Sequence, residues 1–388
     1  MIKDQKKVIF WRTVPIDVGK GDFCEFLKLW DGKVVVVSHA GLPEERKHCG
    51  YSDIESSNVE YVVLKDYSCE DEKARQIIND NFNEIHIFNG IRAKNQEYLN
   101  YLIKACKEKG ERPLIGVVGE RPNFIGGAVY KIIRKIGYRL LYGHLAKKYN
   151  KNIRCFFAMG KLGVETYKKY GFSEESLFQY MYCPKLEPIG TNDTSDTNDV
   201  KFLYVGRFNY STKGLDVLMN AFDKLSIKSG WKLDLVGGYG QKKDEVIEWS
   251  KRRQNVDFLG AWTSDVVCTN MKDYDVCIVP SRYDGWNLTP NQAIHAGVAT
   301  IISDEAVSDE LIGYSGAGIV VKSGSVKELT LAIDTVVNNK VLLKDFKERT
   351  KAYRDKISAK TVGKYFYDAL RYSFFNEGRE KPRCPWSE

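Results

Sequence analysis

Two cations in the second half of the sequence have a spacing that suits an anionic ligand. Arg207 and Lys213 lie six residues apart, between Gly206 and Gly214, in the stretch VGRFNYSTKG. A helix is predicted to begin near Lys213, and a helix N-terminus adds backbone N–H groups and a favourable dipole to neighbouring positive charges. The combination predicts a diphosphate site. The alternative is a solvated basic loop.

A second polar pair lies in the stretch SRYDGWNLTPNQAIHAG, residues 281–297. Asp284 and Gln292 stand eight residues apart, on either side of a turn that contains glycine, aromatic and proline residues. Thr289 and Pro290 are residue types that favour the N-cap and the first position of a helix. Thr289 and Gln292 also have the spacing of a capping box. One hypothesis is therefore that Gln292 only caps its helix, and an aspartate exposed on a loop is the alternative for Asp284.

The elements that must position these residues alternate between strands and helices. Short apolar runs rich in β-branched residues, separated by helical patterns, indicate buried parallel sheets. They predict an α/β fold with two doubly wound domains, and a length of 388 residues also favours two domains. Two long helical patterns are predicted at the end of the chain, over about 325–357 and 360–375. The predicted boundaries are 1–186 for the first domain, 187–199 for a polar linker, 200–358 for the second domain, and 359–388 for a C-terminal helix that packs back towards the first domain.

Ligands of doubly wound sheets bind beyond the carboxyl ends of the strands, so the residues that follow each strand are candidates. The glycines in VGGYGQ, residues 236–241, let the backbone approach a ligand closely. Backbone groups near Gly260, in FLGAW, are placed to bind the edge of a nucleobase. Neither signal is specific alone.

Four pieces of the second domain occur in the order of a known family. GR…KG, the pair Pro280-Ser281, DGWNLTPNQA and HAGVATIISD resemble the donor domain of GT-B glycosyltransferases of family GT4. The family pattern is E-G-x-G-L…E-A-x-A-x-G, with two glutamates eight residues apart. Asp284 and Gln292 fall on these glutamates, and Asn287 falls on a glycine. The resemblance covers about 200–310, and the first half is similar to the family in architecture only.

The resemblance implies a GT-B fold in which two Rossmann-like domains face a cleft. It implies a retaining transferase that uses a nucleotide-diphosphate sugar, in which Arg207 and Lys213 bind the diphosphate and stabilise the leaving-group charge. Asp284 would bind sugar hydroxyls and Gln292 would face the ribose, where a neutral amide can accept one hydrogen bond and donate one. The further donor-binding candidates are Gly206, Gly238, Leu259, Gly260, Asn287, Leu288 and Thr289.

No metal or other cofactor is expected, because the two cations suffice to stabilise the departing charge. The run Asp-Tyr-Asp at 273–275 has the form of a metal-binding D-x-D. Asp275 begins a predicted strand, which favours a structural role for it.

The first domain is expected to bind the acceptor through polar residues at its strand ends. The candidates are His39, Asn89 and Glu120. By the order of elements, Glu120 occupies the place where the family often has a histidine near the sugar, which makes it a catalytic candidate beside Arg207, Lys213 and Asp284. The alternative for His39 is that it only caps the end of a strand.

Residues 128–155 contain eight lysines or arginines and no acidic residue. Apolar residues recur there at helical spacing: Ile132, Ile133, Ile136, Leu140 and Leu141. One hypothesis is a helix that rests on an anionic membrane surface. The other is a surface helix whose apolar stripe packs on the sheet. No signal peptide or membrane span is predicted, and nine scattered cysteines favour a reducing compartment, so the expected location is cytoplasmic, at the inner face of the membrane if the first hypothesis holds.

These observations predict a metal-independent, retaining hexosyltransferase that acts on a glycan or lipid-linked acceptor in polysaccharide biosynthesis. A UDP-sugar is the favoured donor and a GDP-sugar is the second choice. One alternative is a DNA-modifying glucosyltransferase of GT-B fold, which the net charge of +8 permits, although nucleic acid is not the expected partner. Another is a non-catalytic GT-B subunit, which the altered Asp284–Gln292 pair favours and the two cations oppose.

Overall fold

A computed structural model describes residues 6–15, 20–44, 47, 54, 56–186, 199–378 and 380–387. Nearly all of the predicted linker, 187–199, lies outside these ranges. The chain divides into two compact units. The first comprises Met1–Pro122, Ala128–Cys183 and Ala359–Pro385, and the second comprises Asn123–Gly127, Pro184–Ser358 and Trp386–Glu388.

The first unit is built on a seven-stranded parallel sheet with the strand order β3-β2-β1-β4-β5-β6-β7. Its strands are Val8–Arg12 (β1), Val34–Ser38 (β2), Val59–Val63 (β3), Ile85–Asn89 (β4), Leu114–Gly119 (β5), Ile153–Met159 (β6) and Leu177–Tyr180 (β7). The described helices are Lys20–Leu29 (α1), Glu70–Asp80 (α2), Lys94–Glu108 (α3), Ala128–Tyr149 (α4), Gly160–Lys169 (α5) and Ala359–Phe375, which is the last helix of the chain.

The second unit contains a six-stranded parallel sheet with the order β10-β9-β8-β11-β12-β13. This is the strand order of a Rossmann fold. Its strands are Val200–Val205 (β8), Trp231–Val236 (β9), Val256–Gly260 (β10), Val276–Val279 (β11), Ala299–Ser303 (β12) and Gly318–Val321 (β13). The helices are Tyr210–Lys213 (α6), Leu215–Asp223 (α7), Lys243–Lys251 (α8), Ser264–Asn270 (α9), Thr289–Ala296 (α10), Asp309–Ser315 (α11), Val326–Asn338 (α12) and Lys340–Tyr353 (α13). The last helix, Ala359–Phe375, becomes α14.

The strands form where the apolar runs predicted them, because both faces of each sheet are covered by helices. All five residues of β2 are buried, as are all four residues of β11. The prediction of an α/β fold with two Rossmann-like, doubly wound domains is confirmed. Helix α14 belongs to the first unit, where Phe366 packs edge-to-face on Phe26 of α1 with ring centroids 5.2 Å apart.

The prediction of one continuous helical pattern over 325–357 is wrong. The helical conformation is interrupted at Asn339, between α12 and α13. The Asn339 side chain accepts a hydrogen bond from the Leu342 N–H and so caps the second helix. The apolar periodicity continues through the break because both helices face the same core, so the pattern alone conceals the boundary.

Within the described ranges, no helix combines the length and the apolar character that crossing a bilayer requires.

Two buried titratable groups in the first unit are predicted to oppose each other in the pH dependence of stability. Burial raises the pKa of Asp22 from 3.8 to about 7, although the Tyr180 hydroxyl and the Cys183 N–H both donate to its carboxylate. Burial lowers the pKa of His86 from 6.5 to about 4. The stabilising contribution of protonated Asp22 is lost as the pH rises from about 3.8 to about 7, whereas that of neutral His86 is lost as the pH falls from about 6.5 to about 4.

The Asp22→Asn variant separates these two contributions. We expect its free energy of unfolding, relative to the wild type, to increase as the pH rises from 4.5 to 7, by about 3 kcal/mol. Urea unfolding at several pH values measures this difference. A difference that stays constant with pH would contradict the prediction.

Candidate functional site

Two loops at the carboxyl edge of the second sheet are held together. They follow β8 and β11, which are neighbours in the sheet. Arg282 binds Asp216 through two hydrogen bonds, of 2.5 and 2.7 Å, and the Arg282 N–H donates to the Thr212 carbonyl at 2.7 Å. Gly214 has a φ of 66°, and a Cβ at this position would lie 2.1 Å from the Pro280 carbonyl oxygen. A larger residue at 214 would therefore separate the loops.

This contact brings the two sequence motifs together at one carboxylate. Lys213 Nζ lies 2.8 Å from Asp284 Oδ1 and 2.9 Å from Oδ2, and both side chains are about 15% exposed. The Ser281 hydroxyl and the Asn287 side-chain amide each donate to Oδ2 at 2.9 Å. Oδ2 thus accepts from three donors, while Oδ1 accepts from Lys213 alone. The free acceptor capacity of Asp284 is on Oδ1.

Arg207 differs from Lys213 in having no partner. Its side chain is exposed, and it forms no salt bridge or hydrogen bond with any residue that the structure describes. Its backbone is fixed, because its carbonyl accepts from the buried Tyr204 hydroxyl at 2.9 Å. Burial, with a further contribution from the charge of Asp284, raises the pKa of Tyr204. The backbone of Arg207 is therefore held in place, and its guanidinium is available to a ligand.

Glycines after β9 bring a third loop against the Arg207 loop. A Cβ at Gly237 would lie 2.1 Å from the Gly206 carbonyl oxygen, and the Phe208 N–H donates to the Tyr239 carbonyl at 2.7 Å. The Gly237 N–H donates to the Gly260 carbonyl at 2.9 Å. The predicted positions Gly206, Gly238, Leu259 and Gly260 thus lie on three adjacent strand ends, and Leu259 is 41% exposed.

The prediction that Thr289 and Gln292 form a capping box is wrong. Helix α10 begins at Thr289 itself, and Leu288 is its N-cap residue, without a side-chain cap. The Thr289 N–H donates to Asn287 Oδ1 at 2.9 Å, so the Asn287 side chain binds the N–H group that Gln292 was expected to bind. The Asn287 side chain reaches this N–H because Asn287 lies two residues before Thr289, the spacing of an Asx turn.

Gln292 is 6% exposed and donates from Nε2 to the Cys268 sulfur at 3.3 Å. Its carbonyl oxygen receives no hydrogen bond from the described part of the chain. The side chain is thus oriented by Cys268 on α9. The structure does not support the capping hypothesis for Gln292, and its contact with a ligand stays a prediction.

Four consecutive backbone N–H groups precede α10 without an internal partner. They belong to residues 285–288, and no described residue accepts from them. The sequence predicted such groups around Asn287 to Thr289, but that of Thr289 is occupied by Asn287. An anion that reaches this turn would meet several free donors near the positive end of a helix.

Asp275 has structural partners. Its carboxylate accepts from the Lys201 N–H at 2.9 Å and from Lys347 Nζ at 2.9 Å. Among the described residues, no group of three or more His, Cys, Asp or Glu side chains is arranged to hold a metal ion.

The acceptor candidates lie at the carboxyl edge of the first sheet. His39 follows β2, stacks on Tyr98 with ring centroids 5.7 Å apart, and has its pKa lowered by burial. Asn89 ends β4, and its carbonyl accepts from the Asn95 side chain at 2.7 Å.

Glu120 follows β5, the strand next to β4, and its side chain is exposed. Its carbonyl accepts from the Tyr167 hydroxyl at 2.6 Å. This bond fixes the backbone of Glu120 and leaves the catalytic assignment of its carboxylate a prediction.

The sequence did not single out Cys268 or the pair Arg282 and Asp216, and it indicated Ser281 only as part of the Pro280-Ser281 motif, without a role. Cys268 has no spacing signal, because it is 24 residues from Gln292 in the sequence. Ser281 is only three residues from Asp284, but this spacing within a loop did not indicate a hydrogen bond. Arg282 and Asp216 are 66 residues apart in the sequence. The position of Arg282, two residues before Asp284, was the one available hint.

The Asn287→Gly variant is predicted to broaden donor use. Glycine would release Asp284 Oδ2 and the Thr289 N–H, and would open space beside both. We expect kcat/KM for the best donor to change severalfold, and the ratio between that donor and its hydroxyl epimers to fall by about tenfold, the worth of one charged hydrogen bond. A donor panel assayed with both proteins measures the ratio, and Asn287→Ser is the control that keeps a polar group. Unchanged discrimination would contradict the prediction.

Comparison with known proteins finds a family match within the second unit. Residues 191–353 match the family described as "Glycosyl transferases group 1", and this range contains Arg207, Lys213, Asp284 and Gln292. An uncharacterized glycosyltransferase of Methanocaldococcus jannaschii, MJ1607, is 27% identical over 154 residues, which are 39% of this chain and 38% of the relative. A second from that organism, MJ1069, is 27% identical over 187 residues, 46% of this chain and 47% of the relative. The chain thus spans less than half the length of these relatives.

Solved structures resemble almost the whole chain. A glycosyltransferase from Rickettsia africae has a TM-score of 0.68 at 15% identity, over 96% of this chain and 100% of the other. Anabaena Alr3699/HepE, in complex with UDP and glucose, has a TM-score of 0.66 at 13% identity, over 94% and 99%. Both likenesses concern the fold, which is that of GT-B glycosyltransferases. The family match covers less than half of the chain and lies within the second unit, which is similar to the glycosyl transferases group 1 family over residues 191–353.

Proposed function

We propose that the chain is a retaining glycosyltransferase of family GT4, which moves a sugar from a nucleotide-diphosphate sugar to a hydroxyl of a glycan or lipid-linked acceptor. One observation carries the proposal. Lys213, Asp284 and the free N–H groups of 285–288 converge at the carboxyl edge of a Rossmann sheet inside a glycosyl transferases group 1 domain. Arg207, which precedes Lys213 after β8, adds a guanidinium that pairs with none of the residues described in the structure.

The charges suit the departure of a nucleoside diphosphate. In the proposed step, the bond between the anomeric carbon and the diphosphate oxygen breaks, and the acceptor oxygen bonds to the same face of that carbon. The proton of the acceptor hydroxyl passes to the departing diphosphate. Arg207, Lys213 and the N–H groups stabilise the charge that develops on the leaving oxygen. No protein nucleophile takes part.

Donor binding would rearrange the Lys213–Asp284 pair. A diphosphate carries more charge than a carboxylate, so it competes for Lys213 Nζ. Once Lys213 turns to the phosphate, Asp284 keeps the Ser281 and Asn287 hydrogen bonds on Oδ2 and offers Oδ1 to a sugar hydroxyl. The pair would thereby couple diphosphate binding to sugar recognition.

A UDP-sugar is the proposed donor. Alr3699/HepE, similar in fold, was solved with UDP and with UDP-glucose, which supports a uridine nucleotide. A GDP-sugar remains the second choice. We propose metal independence because two cations and a helix N-terminus provide the positive charge that a metal would otherwise supply.

The first unit is proposed to bind the acceptor, with His39, Asn89 and Glu120 at the carboxyl edge of its sheet. A lipopolysaccharide glycosyltransferase, WaaG, is among the chains similar in fold, with a TM-score of 0.60. It supports a role in polysaccharide biosynthesis, with peripheral contact to a membrane that carries a lipid-linked acceptor.

Nucleotide binding tests the proposal, and the Gln292→Glu variant tests the proposed contact between residue 292 and the ribose. Calorimetry with UDP, UDP-sugars and GDP-sugars should give a dissociation constant in the usual micromolar to millimolar range for at least one of them. A carboxylate at 292 can accept from both ribose hydroxyls, so we expect the nucleotide to bind the variant about fivefold more tightly, a difference near 1 kcal/mol.

The same binding experiment has matched controls. Cys268→Ala removes the partner that orients Gln292 and should weaken binding slightly without affecting a 2′,3′-dideoxy nucleotide. Equal binding of the ribose and dideoxy nucleotides to every variant would exclude the ribose role of Gln292. Failure of all nucleotide sugars to bind the wild type would leave the non-catalytic subunit as the better hypothesis. Steep salt dependence of DNA binding would favour the DNA-modifying alternative.

A further inference from the structure

Helix α4 carries an apolar stripe that faces solvent. The stripe consists of five side chains whose exposed fractions lie between 57% and 72%: Val129, Ile132, Ile133, Ile136 and Leu140. The alternative in which an apolar stripe of this helix packs on the sheet is wrong for these residues. At about 100° per residue they fall within one arc of about 100°. Large apolar side chains grouped in this way are unusual on a soluble surface.

The helix packs on its own unit through a different face. Tyr142, Leu145, Ala146 and Tyr149 are buried in the core of the first unit. Their positions lie on roughly the opposite side of the helix from the stripe, because successive residues rotate by about 100°. The C-terminal half of α4 therefore anchors the helix, and the N-terminal half presents the stripe outward.

Basic residues extend around α4 from one edge of the stripe: at about 100° per residue, Arg139 lies beside the stripe and Lys131 lies near the opposite side. Helix α4 contains six lysines or arginines and no acidic residue. Lys131 and Arg139 are exposed and form no salt bridge within the described ranges of the chain. Long basic side chains can extend their charged ends to lipid headgroups while their stems lie along apolar surface. An apolar stripe flanked by cations is the arrangement of helices that lie in the interface of an anionic bilayer.

We propose that the N-terminal half of α4 docks the chain on an anionic lipid bilayer, with the stripe among the acyl chains and the flanking lysines and arginines at the headgroups. The inference rests on the proposed function in one respect: docking would serve to bring a lipid-linked acceptor to the enzyme. Its evidence is the exposure and charge of α4, which do not involve the nucleotide site.

A second copy of the chain is a poorer occupant of the same surface. Pairing two stripes would bring together two helices with six lysines or arginines each, without an acidic residue on either helix to offset the charge. An anionic bilayer offsets the same charges, and its attraction increases with each basic residue near the surface.

The test is cosedimentation of the full chain with vesicles of phosphatidylcholine alone and with about 30% phosphatidylglycerol, a content that gives an anionic surface. We expect strong binding to the anionic vesicles and weak binding to the neutral ones. The double variant Ile132→Ser/Ile136→Ser should bind anionic vesicles on the order of tenfold more weakly. The double variant Lys131→Gln/Arg139→Gln should lose most of the preference for anionic lipid, as should the wild type at high salt.

The matched control is Leu331→Ser/Val341→Ser, which changes two apolar residues of the second unit that are 63% and 81% exposed. Its vesicle binding should equal that of the wild type. Equal binding by the stripe variant and this control would overturn the inference. Light scattering that finds a wild-type dimer and a monomeric stripe variant would also overturn it, in favour of a second copy. Nucleotide binding by the stripe variant should be unchanged, and loss of nucleotide binding in the wild type with vesicle binding intact would remove the proposed function alone.

Discussion

Replacing Lys213 with alanine is expected to lower kcat by about a hundredfold or more, the effect of removing one donor to a developing oxyanion. The lysine ammonium is 2.8 Å from Asp284 and lies in the loop that is held against Pro280 by Gly214. Its loss removes positive charge from the leaving diphosphate. It also leaves the half-buried Asp284 carboxylate with the two donors on Oδ2 alone, so we expect the free energy of unfolding to fall by about 1 to 3 kcal/mol.

Two further variants separate these consequences. Lys213→Arg keeps the charge and should retain more activity than Lys213→Ala. The double variant Lys213→Ala/Asp284→Asn removes both charges, so it should recover stability without recovering turnover. Steady-state kinetics and thermal unfolding of the three proteins provide the measurement. If Lys213→Ala turns over at a rate near that of the wild type, the lysine does not hold the diphosphate.

Replacing Arg207 with alanine should lower kcat by a similar factor, about a hundredfold, and leave stability unchanged. The reason for the contrast is that the Arg207 side chain is exposed and has no partner in the described chain. The backbone of residue 207 is held by the Tyr204 hydroxyl, a bond that alanine preserves. The loss of activity would therefore report on the substrate and not on folding.

Arg252→Ala is the matched control, since this arginine is also exposed and ends helix α8 on the same unit. It should show wild-type turnover. The midpoint of thermal unfolding should be the same for both variants within about 1 °C, as for most exposed substitutions. Comparable kcat values for Arg207→Ala and Arg252→Ala would show that Arg207 serves only as a surface charge.

The sequence allowed the fold to be predicted because both sheets are buried on both faces. Continuous apolar runs such as VVVVS in β2 and VCIV in β11 are recognisable as buried strands, and turns that contain glycine separate them from the next element. The locations of Arg207, Lys213, Asp284 and Gln292 followed, since each comes soon after a predicted strand. Strand order and the two-unit division then place three of the four on adjoining loops.

The partners of these residues could not be predicted, because they depend on distances between loops far apart in the sequence. Lys213 and Asp284 are 71 residues apart, and both seemed free to meet a ligand, yet they bind each other. Asn287 seemed only a departure from a glycine, but its amide bridges Asp284 and the Thr289 N–H. The capping box was wrong for a local reason: Asn287, two residues before Thr289, accepts the hydrogen bond that Gln292 was expected to accept.

The apolar stripe of α4 illustrates a different limit. The periodicity of the apolar residues predicted the helix and its apolar face. The same pattern was compatible with packing of that face on the sheet and with its contact with a membrane. Only the positions of Tyr142 and Leu145 in the core determine which side of the helix packs, and therefore which side is left for solvent or lipid.

The most direct test of the central claim is to incubate the full chain with a panel of UDP- and GDP-sugars in the presence of EDTA and to follow nucleoside diphosphate release by mass spectrometry. We predict that at least one sugar nucleotide is turned over, that the anomeric configuration of the transferred or hydrolysed sugar matches that of the donor, and that Lys213→Ala and Arg207→Ala suppress the release. Absence of turnover and of binding with every nucleotide sugar, at any metal concentration, would contradict the account.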